Sequence, residues 1–279
     1  MSEFLEVVGS RRSIRWFQPW NAVPRDKVQR ILEAARLTGC PGNLQPWRAI
    51  VVTQADLGEE ERERLLAANN HQGPQVTAPV WIYWFADVSV IAPETFLHWT
   101  SWGLEVGMVA PQHGWSVEAA KKAIAGEEAA PRGMPALEQM VGGMTEEIAV
   151  MMAAQETNGA CAVAALAAVN EGLATSLSIA ASPLSRDTLY EVLGVPPTFV
   201  PVWLQLVGYP AERADGGGQR PRDPFEVLFA EGRWGSPFER DPAVVEGLRK
   251  ERLFQAEAPL PGREEELEHL GRMFGFTSE

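Results

Sequence analysis

The chain has 279 residues, 46% of them hydrophobic and 22% charged, with a formal net charge of −13. This content suits a globular protein with a substantial core, and the acidic balance argues against nucleic acid or anionic membrane as main partners. No apolar run approaches a bilayer span, no apolar stretch follows the first basic residues as in a secretory signal, and Cys40 and Cys161 make no disulfide framework, so a cytoplasmic protein without a membrane partner is expected.

In chain order, Phe4, Leu5 and Val8 mark a short first helix. A second opens at Pro24, carries Val28, Ile31, Leu32 and Ala35 at helical spacing, and stops at Gly39. Residues 48–53 (RAIVVT) read as a β-branched strand, residues 56–69 as a charged helix, and residues 80–86 (VWIYWFA) as a central strand covered on both faces. Residues 92–143 are less regular. They include His98, Trp99, Trp102, His113 and Trp115, then a Lys/Glu-rich helix near residues 117–128. Thr145 starts a long helix to about Asn170, apolar on most faces and expected to need cover from a second copy of the chain. A strand at 175–179, a helix at 185–193 ended by Gly194, a strand at 199–207 and a Gly-rich loop at 211–222 follow, then a polar remainder with two short helical patterns. The pattern fits one mixed α+β domain over residues 1–279, with an excursion at about 87–144 and an extension at about 236–279.

Against the acidic background, SRRSIRWF sets Arg11, Arg12 and Arg15 around Ser13. Such a cluster either collects guanidinium forks on a phosphate or forms a solvated basic face that pairs with surplus acid. The loop CPGNLQPW then places Asn43 and Gln45 before a buried strand, as capping amides or as donor–acceptor groups for a pyrimidine-like edge. Arg220 and Arg222 form a second basic pair after the last core strand. Two arginine clusters and an amide loop match the needs of flavin mononucleotide: cations for phosphate, amides for the ring edge, aromatics for the ring.

With these motifs in this order, the chain resembles the nitroreductase family of FMN enzymes over roughly residues 4–86 and 145–235. The motifs are RRSIRWF, VPRDKVQRILEAARLTGCPGNLQPWRAIVV, GLATSLSIAASPLSRDTLYEVLGV, and VWLQLVGYPAE followed by RPRDPFEVL. The resemblance implies a central, mainly antiparallel sheet flanked by helices, and an intertwined homodimer with FMN at each of two interface sites. It implies that Arg11 and Ser13 hold the phosphate, Arg12 the ribityl–phosphate region, and Arg15 the N1/O2 side of the ring. Cys40, Pro41, Asn43 and Gln45 fall in its flavin loop. Asn70, in preference to Asn69, meets the pyrimidine edge. Ile179 and Ala180, after Ser178, fall in the segment whose backbone reaches flavin N5, and Arg220 and Arg222 close on the phosphate.

The implied activity is ping-pong reduction of a planar electron-poor acceptor, a nitroaromatic or quinone, by NAD(P)H, with no acid or base residue required. Alternatives are a specialised member that dehalogenates, fragments flavin or dehydrogenates rings, or a flavin-binding protein without turnover. The chain has Gly39-Cys40-Pro41 where the family commonly has Pro-Ser, Ile179-Ala180 where it has Gly-Gly, and a longer 87–144 segment. These departures bear on substrate rather than cofactor. His98, Trp99 and Trp102 are candidates for a substrate lid, or else an amphipathic helix packed inward. Cys40 is read as a small residue filling a tight turn, with a redox role as the alternative. His71, His98, His113 and His269 lack ligand spacing, so no metal is expected.

Overall fold

A computed structural model describes residues 2–53, 55–108, 116–125 and 145–276. His113 and Trp115, the end of the helix expected near 117–128, and much of the 87–144 excursion lie outside the described residues.

Four strands form one antiparallel sheet: β1 (Trp47–Thr53), β2 (Val80–Asp87), β3 (Ala174–Ser178) and β4 (Phe199–Gly208), in the order β1-β2-β4-β3. The β2 sequence VWIYWFAD has no polar face, and all eight of its residues are buried. Successive side chains of a strand point to opposite faces, so β2 feeds two cores. Val80, Ile82 and Trp84 pack with α2 (Arg25–Arg36) and α7 (Glu146–Asn170), while Trp81, Tyr83 and Phe85 pack with Phe17, Leu65 and Leu189 on the other side. Tryptophan is tolerated so deep because its N–H finds an acceptor. Trp84 donates to Gln205 Oε1 (3.0 Å), and Trp81 to the carbonyls of Gln75 (3.0 Å) and Ala78 (3.1 Å).

The remaining helices are α1 (Ser2–Ser10), α3 (Glu59–Ala68), α4 (Gly73–Thr77), α5 (Pro93–Glu105), α6 (Val117–Ala125), α8 (Arg186–Leu193), α9 (Phe225–Leu228), α10 (Pro242–Lys250) and α11 (Arg263–Met273). The polar remainder thus has three helical pieces where two were expected; α9 is a single turn, too short to show a period. The long helix starts and stops where its local chemistry demands. Thr145 Oγ1 caps it by accepting the Ile148 N–H at 3.3 Å. The helix at 186–193 ends in left-handed Gly194 (φ 62°).

One expectation needs correcting. Although α7 is rich in alanine all round, its Ala153, Ala160, Ala164, Ala165 and Ala168 are covered by this same chain. The stripe left exposed is narrower: Met151, Gln155, Asn158 and Ala162. Small side chains let α7 lie close on the sheet and on α2, which supplies most of the cover sought from a partner.

Candidate anion and cofactor site

The arginine motif is an extended segment laid along β3. Ser13 bridges Thr175 in parallel sense, Ile14 N–H donates to Thr175 O at 3.1 Å, and Gln18 N–H donates to Tyr209 O at 2.9 Å. Extended backbone alternates its side chains, and this explains why neighbouring arginines meet different fates. Arg12 and Ile14 turn inward and are buried, whereas Arg11, Ser13 and Arg15 share the outer face.

The guanidinium of Arg12 is occupied by the protein itself. It donates to Asp215 O (3.0 Å), Gly9 O (2.6 Å), Arg11 O (3.0 Å) and Gln255 Oε1 (2.9 Å). The expectation that the Arg12 side chain serves the ribityl–phosphate region is therefore corrected: its guanidinium is an internal pin. Arg11 is different. Burial, and then the nearby positive charge of Arg222, push its pKa down. Among the described residues no carboxylate pairs with Arg11, Arg15, Arg220 or Arg222. The two basic clusters separated by two hundred residues do meet, and their charges are unneutralised. Arg15 and Arg220 face a common cavity of about 230 Å³, with Gly216, Gly217 and Arg263 also in its wall.

Because the Ser13–Thr175 bridge is parallel, the segment runs from Arg11 toward the end of β3, where polar groups gather. Ser178 Oγ donates to Gln72 Oε1 at 2.7 Å. Gln72 Nε2 donates to Asn69 Oδ1 at 3.1 Å. Asn69, fully buried, donates to Gln75 Oε1 (3.0 Å) and to the carbonyl of Ile179 (3.3 Å). Asn70 is corrected: it is exposed on a left-handed turn (φ 55°) and takes no part in this network. Gln72, unread in the sequence, is the amide facing Ser178. Ile179 is 48% exposed and Ala180 buried, so the segment presents one apolar side chain outward.

The loop before β1 lies elsewhere. Asn43 and Gln45 adopt left-handed backbone (φ 53° and 50°), and Gln45 Nε2 donates to Asn43 O at 3.1 Å. Arg48 fixes the loop: it pairs with nearly buried Asp87 at 3.0 Å and donates to the carbonyls of Gln45 (2.8 Å) and Trp47 (2.9 Å). The thiol of Cys40 has its pKa raised, by burial first and Glu156 next, against the opposing hydrogen bond from Gln45 N–H. A raised pKa disfavours the thiolate that a reactive cysteine needs. Cys40, Gly42, Asn43 and Gln45 line a groove of about 860 Å³ whose far wall is His98, Trp99 and Trp102 of α5. Trp99 and Trp102 stack edge-on at 5.4 Å, and Trp102 stays 40% exposed, so α5 does not simply bury its aromatics. Thr38, also in the wall, has a buried hydroxyl oxygen without a hydrogen-bond partner among the described residues.

One chain thus carries the arginine face and the loop–α5 groove in two separate places. The row Ser178, Leu204, Tyr83, Ile50 crosses the whole sheet, three interstrand steps or about 14 Å. The arginine segment sits on the β3 edge and the Cys40–Gln45 loop leads into the opposite edge. Among the described residues no helix is long and apolar enough to cross a membrane, and no cluster of His, Cys, Asp and Glu could hold a metal ion.

Comparison with known proteins bears on the family and the fold. The nitroreductase family profile matches residues 8–209. YdgI of Bacillus subtilis (strain 168), which carries the name of an NAD(P)H nitroreductase, is 31% identical over 88 residues, covering 32% of this chain and 41% of YdgI. That match spans about two fifths of the relative's length. Among solved structures, a nitroreductase-like protein of Streptococcus mutans superposes with TM-score 0.60 at 18% identity, over 82% of this chain and 97% of the other. A protein of Exiguobacterium sibiricum 255-15, described as a nitroreductase in complex with FMN, gives TM-score 0.61 at 23% identity, over 82% and 96%. B. subtilis ydfN gives 0.63 at 18%, over 84% and 100%. At such identities the likeness speaks for the fold.

Proposed function

The chain belongs to the nitroreductase family, and on that premise we propose that it is an FMN-dependent oxidoreductase that draws electrons from NAD(P)H and reduces a planar, electron-poor acceptor such as a nitroaromatic or a quinone. The observation that carries this reading is the ordered face along β3: unneutralised Arg11 beside Arg222 at one end, the Asn69–Gln72–Ser178 amide network at the other. Ser13 pairs with Thr175, three residues before Ser178, and Arg11 stands two residues before Ser13, so the backbone at the two ends lies on the order of 15 Å apart. Guanidinium forks suit a phosphate at the first end; Arg11, Ser13, Arg220 and Arg222 would hold it. Gln72, Ser178 and the backbone of Ile179–Ala180 would meet the pyrimidine edge with donors and acceptors. Arg15, farther along the same face, supplies positive charge beside the N1/O2 side, which favours electron uptake. Bound FMN supplies the two-electron hydride chemistry, so no side chain need act as acid or base.

The other half of the site enters through a second copy of the chain. Cys40, Pro41, Asn43 and Gln45 lie on the opposite sheet edge, and a homodimer pairs each arginine face with the partner copy's loop. The exposed α7 stripe is the surface suited to that contact. His98, Trp99 and Trp102 then line the slot for a planar acceptor, excluding water and stacking on it. NAD(P)H oxidation by FMN-loaded protein in the presence of a quinone or nitroaromatic tests the reading. Consumption that depends on both protein and acceptor supports it; a flavin-loaded protein that leaves NAD(P)H untouched with every acceptor contradicts it.

A further inference from the structure

The family profile ends at residue 209, yet the part of the chain most closely woven into the arginine face comes after residue 250. Glu212 has a side chain with no solvent exposure. One of its carboxylate oxygens accepts the N–H groups of both Arg15 and Trp16; the other accepts from Arg263 of α11. Arg263 is held from its other side by Glu266 at 2.9 Å. Burial alone would lower the pKa of Arg263, but its two carboxylate partners outweigh burial and raise it.

A second tie joins the same segment to both basic clusters. Gln255 Oε1 accepts from Arg12 (2.9 Å), while Gln255 N–H donates to Gln219 Oε1 (3.0 Å), directly before Arg220. Gln219 also pairs through its backbone, accepting from Ala258 N–H at 3.0 Å and donating to Ala256 O at 2.8 Å. Gly218 (φ 114°) sits so close to this strand that a Cβ would lie 2.6 Å from Ala258 N, a contact only glycine allows. The aromatic end of the segment locks on as well: Phe274 stacks on Trp16 at 5.4 Å and Phe276 meets it edge-on at 5.3 Å. Finally, Pro259, Arg263 and Leu267 form one wall of the cavity that Arg15 and Arg220 face.

We infer that the segment from residue 252 to 276 is a working part of the anion site: it fixes the arginine face and the Arg220–Arg222 pair relative to each other, with Arg263 as the positioning residue. The inference rests on the flavin reading above. Arg11–Trp16 is held along β3 and to residues 211–215 of the loop. The loop's far end, where Arg220 and Arg222 stand, is tied back through Gln219 to Gln255 and Ala256–Ala258 of the segment, so without the segment the Arg220–Arg222 pair would be free to drift from Arg11. Held together, they favour a phosphate-bearing ligand over the same ligand without phosphate.

The test is the ratio of riboflavin to FMN dissociation constants, measured by fluorescence titration of the full chain. General loosening of the fold weakens both ligands alike, whereas misplacing the phosphate-facing Arg11, Arg220 and Arg222 weakens FMN more than riboflavin. The parent is expected to prefer FMN. Arg263→Gln is expected to cut the ratio about tenfold, the loss of one well-placed charged contact, with riboflavin affinity much less affected than FMN affinity, and Arg263→Lys to restore most of it. If Arg263→Gln does not fold, Gln255→Ala provides the same readout with a smaller drop, about threefold, the loss of one hydrogen bond. A folded variant whose ratio equals the parent's overturns the inference, as does equal weakening of both ligands. A parent that binds neither flavin overturns the flavin reading, and this inference with it.

Discussion

Replacing Arg11 by alanine separates the anion site from the fold. In the protein without ligand, Arg11 has no carboxylate partner among the described residues and is pressed by Arg222, so its loss removes a repulsion and leaves stability unchanged or slightly higher. With FMN bound, the same change removes a charge-assisted hydrogen bond to phosphate, about 1.5–3 kcal/mol. At 1.4 kcal/mol per decade, the FMN dissociation constant rises about ten- to 150-fold. Arg12→Ala gives the opposite pattern. It deletes four hydrogen bonds within the protein, each worth about 0.5–1.5 kcal/mol net, so unfolding becomes easier by about 2–6 kcal/mol. The assay is fluorescence titration of FMN together with urea unfolding of both ligand-free variants. An Arg11→Ala protein with the parent's FMN affinity would refute the phosphate assignment, and an Arg11→Ala protein that is strongly destabilised would refute the claim that Arg11 has no structural partner.

Other outcomes follow from the same geometry. Asn69→Ala orphans the fully buried Gln75 amide oxygen and removes a partner from half-buried Gln72 and from the Ile179 carbonyl, and should lower stability by about 1–3 kcal/mol, seen as a reduced urea midpoint. Ala162→Arg, on the exposed stripe of α7, should shift sedimentation to the monomer and reduce FMN uptake; a dimer that keeps its flavin would place the interface elsewhere. Cys40, with its raised pKa, should alkylate more slowly than a free thiol at about pH 8.5, where the free group is half ionised. Cys161, pushed up to about 12, should not react until the fold opens. Both shifts also make stability fall as pH rises above the unfolded thiol value, because the unfolded chain loses protons that the folded one keeps. Flat stability between about pH 8 and 10 would argue that neither thiol is perturbed.

Much of the scaffold was legible because local chemistry and tertiary packing agree. VWIYWFA has no polar face, and β2 is covered on both sides. Thr145 and Gly172 bracket a helix that spans Glu146–Asn170. The arginine motif signalled an anion site, but the division of labour within it depends on the extended conformation, which alternates Arg11 and Arg12 between outside and inside. That alternation could have been read from RRSIRWF had the stretch been taken as strand-like, since Ile14 must face the core. The choice between Asn69 and Asn70 turns on a single left-handed residue, which carries no sequence signature stronger than asparagine itself. The partnership of Glu212 with Arg263 joins residues fifty positions apart through a polar segment without hydrophobic periodicity. Charge alone could not have singled it out among so many acidic residues.

The central claim is that this chain binds FMN at the face shared by Arg11, Ser13, Arg15 and the Arg220–Arg222 pair. The most direct measurement is the visible absorption spectrum of the protein after incubation with FMN and removal of unbound ligand, recorded across a sedimentation boundary. The expected result is a flavin spectrum that travels with protein at twice the 30.6 kDa chain mass, about one flavin per chain. Colourless protein would contradict the claim, and so would flavin travelling with the single-chain species.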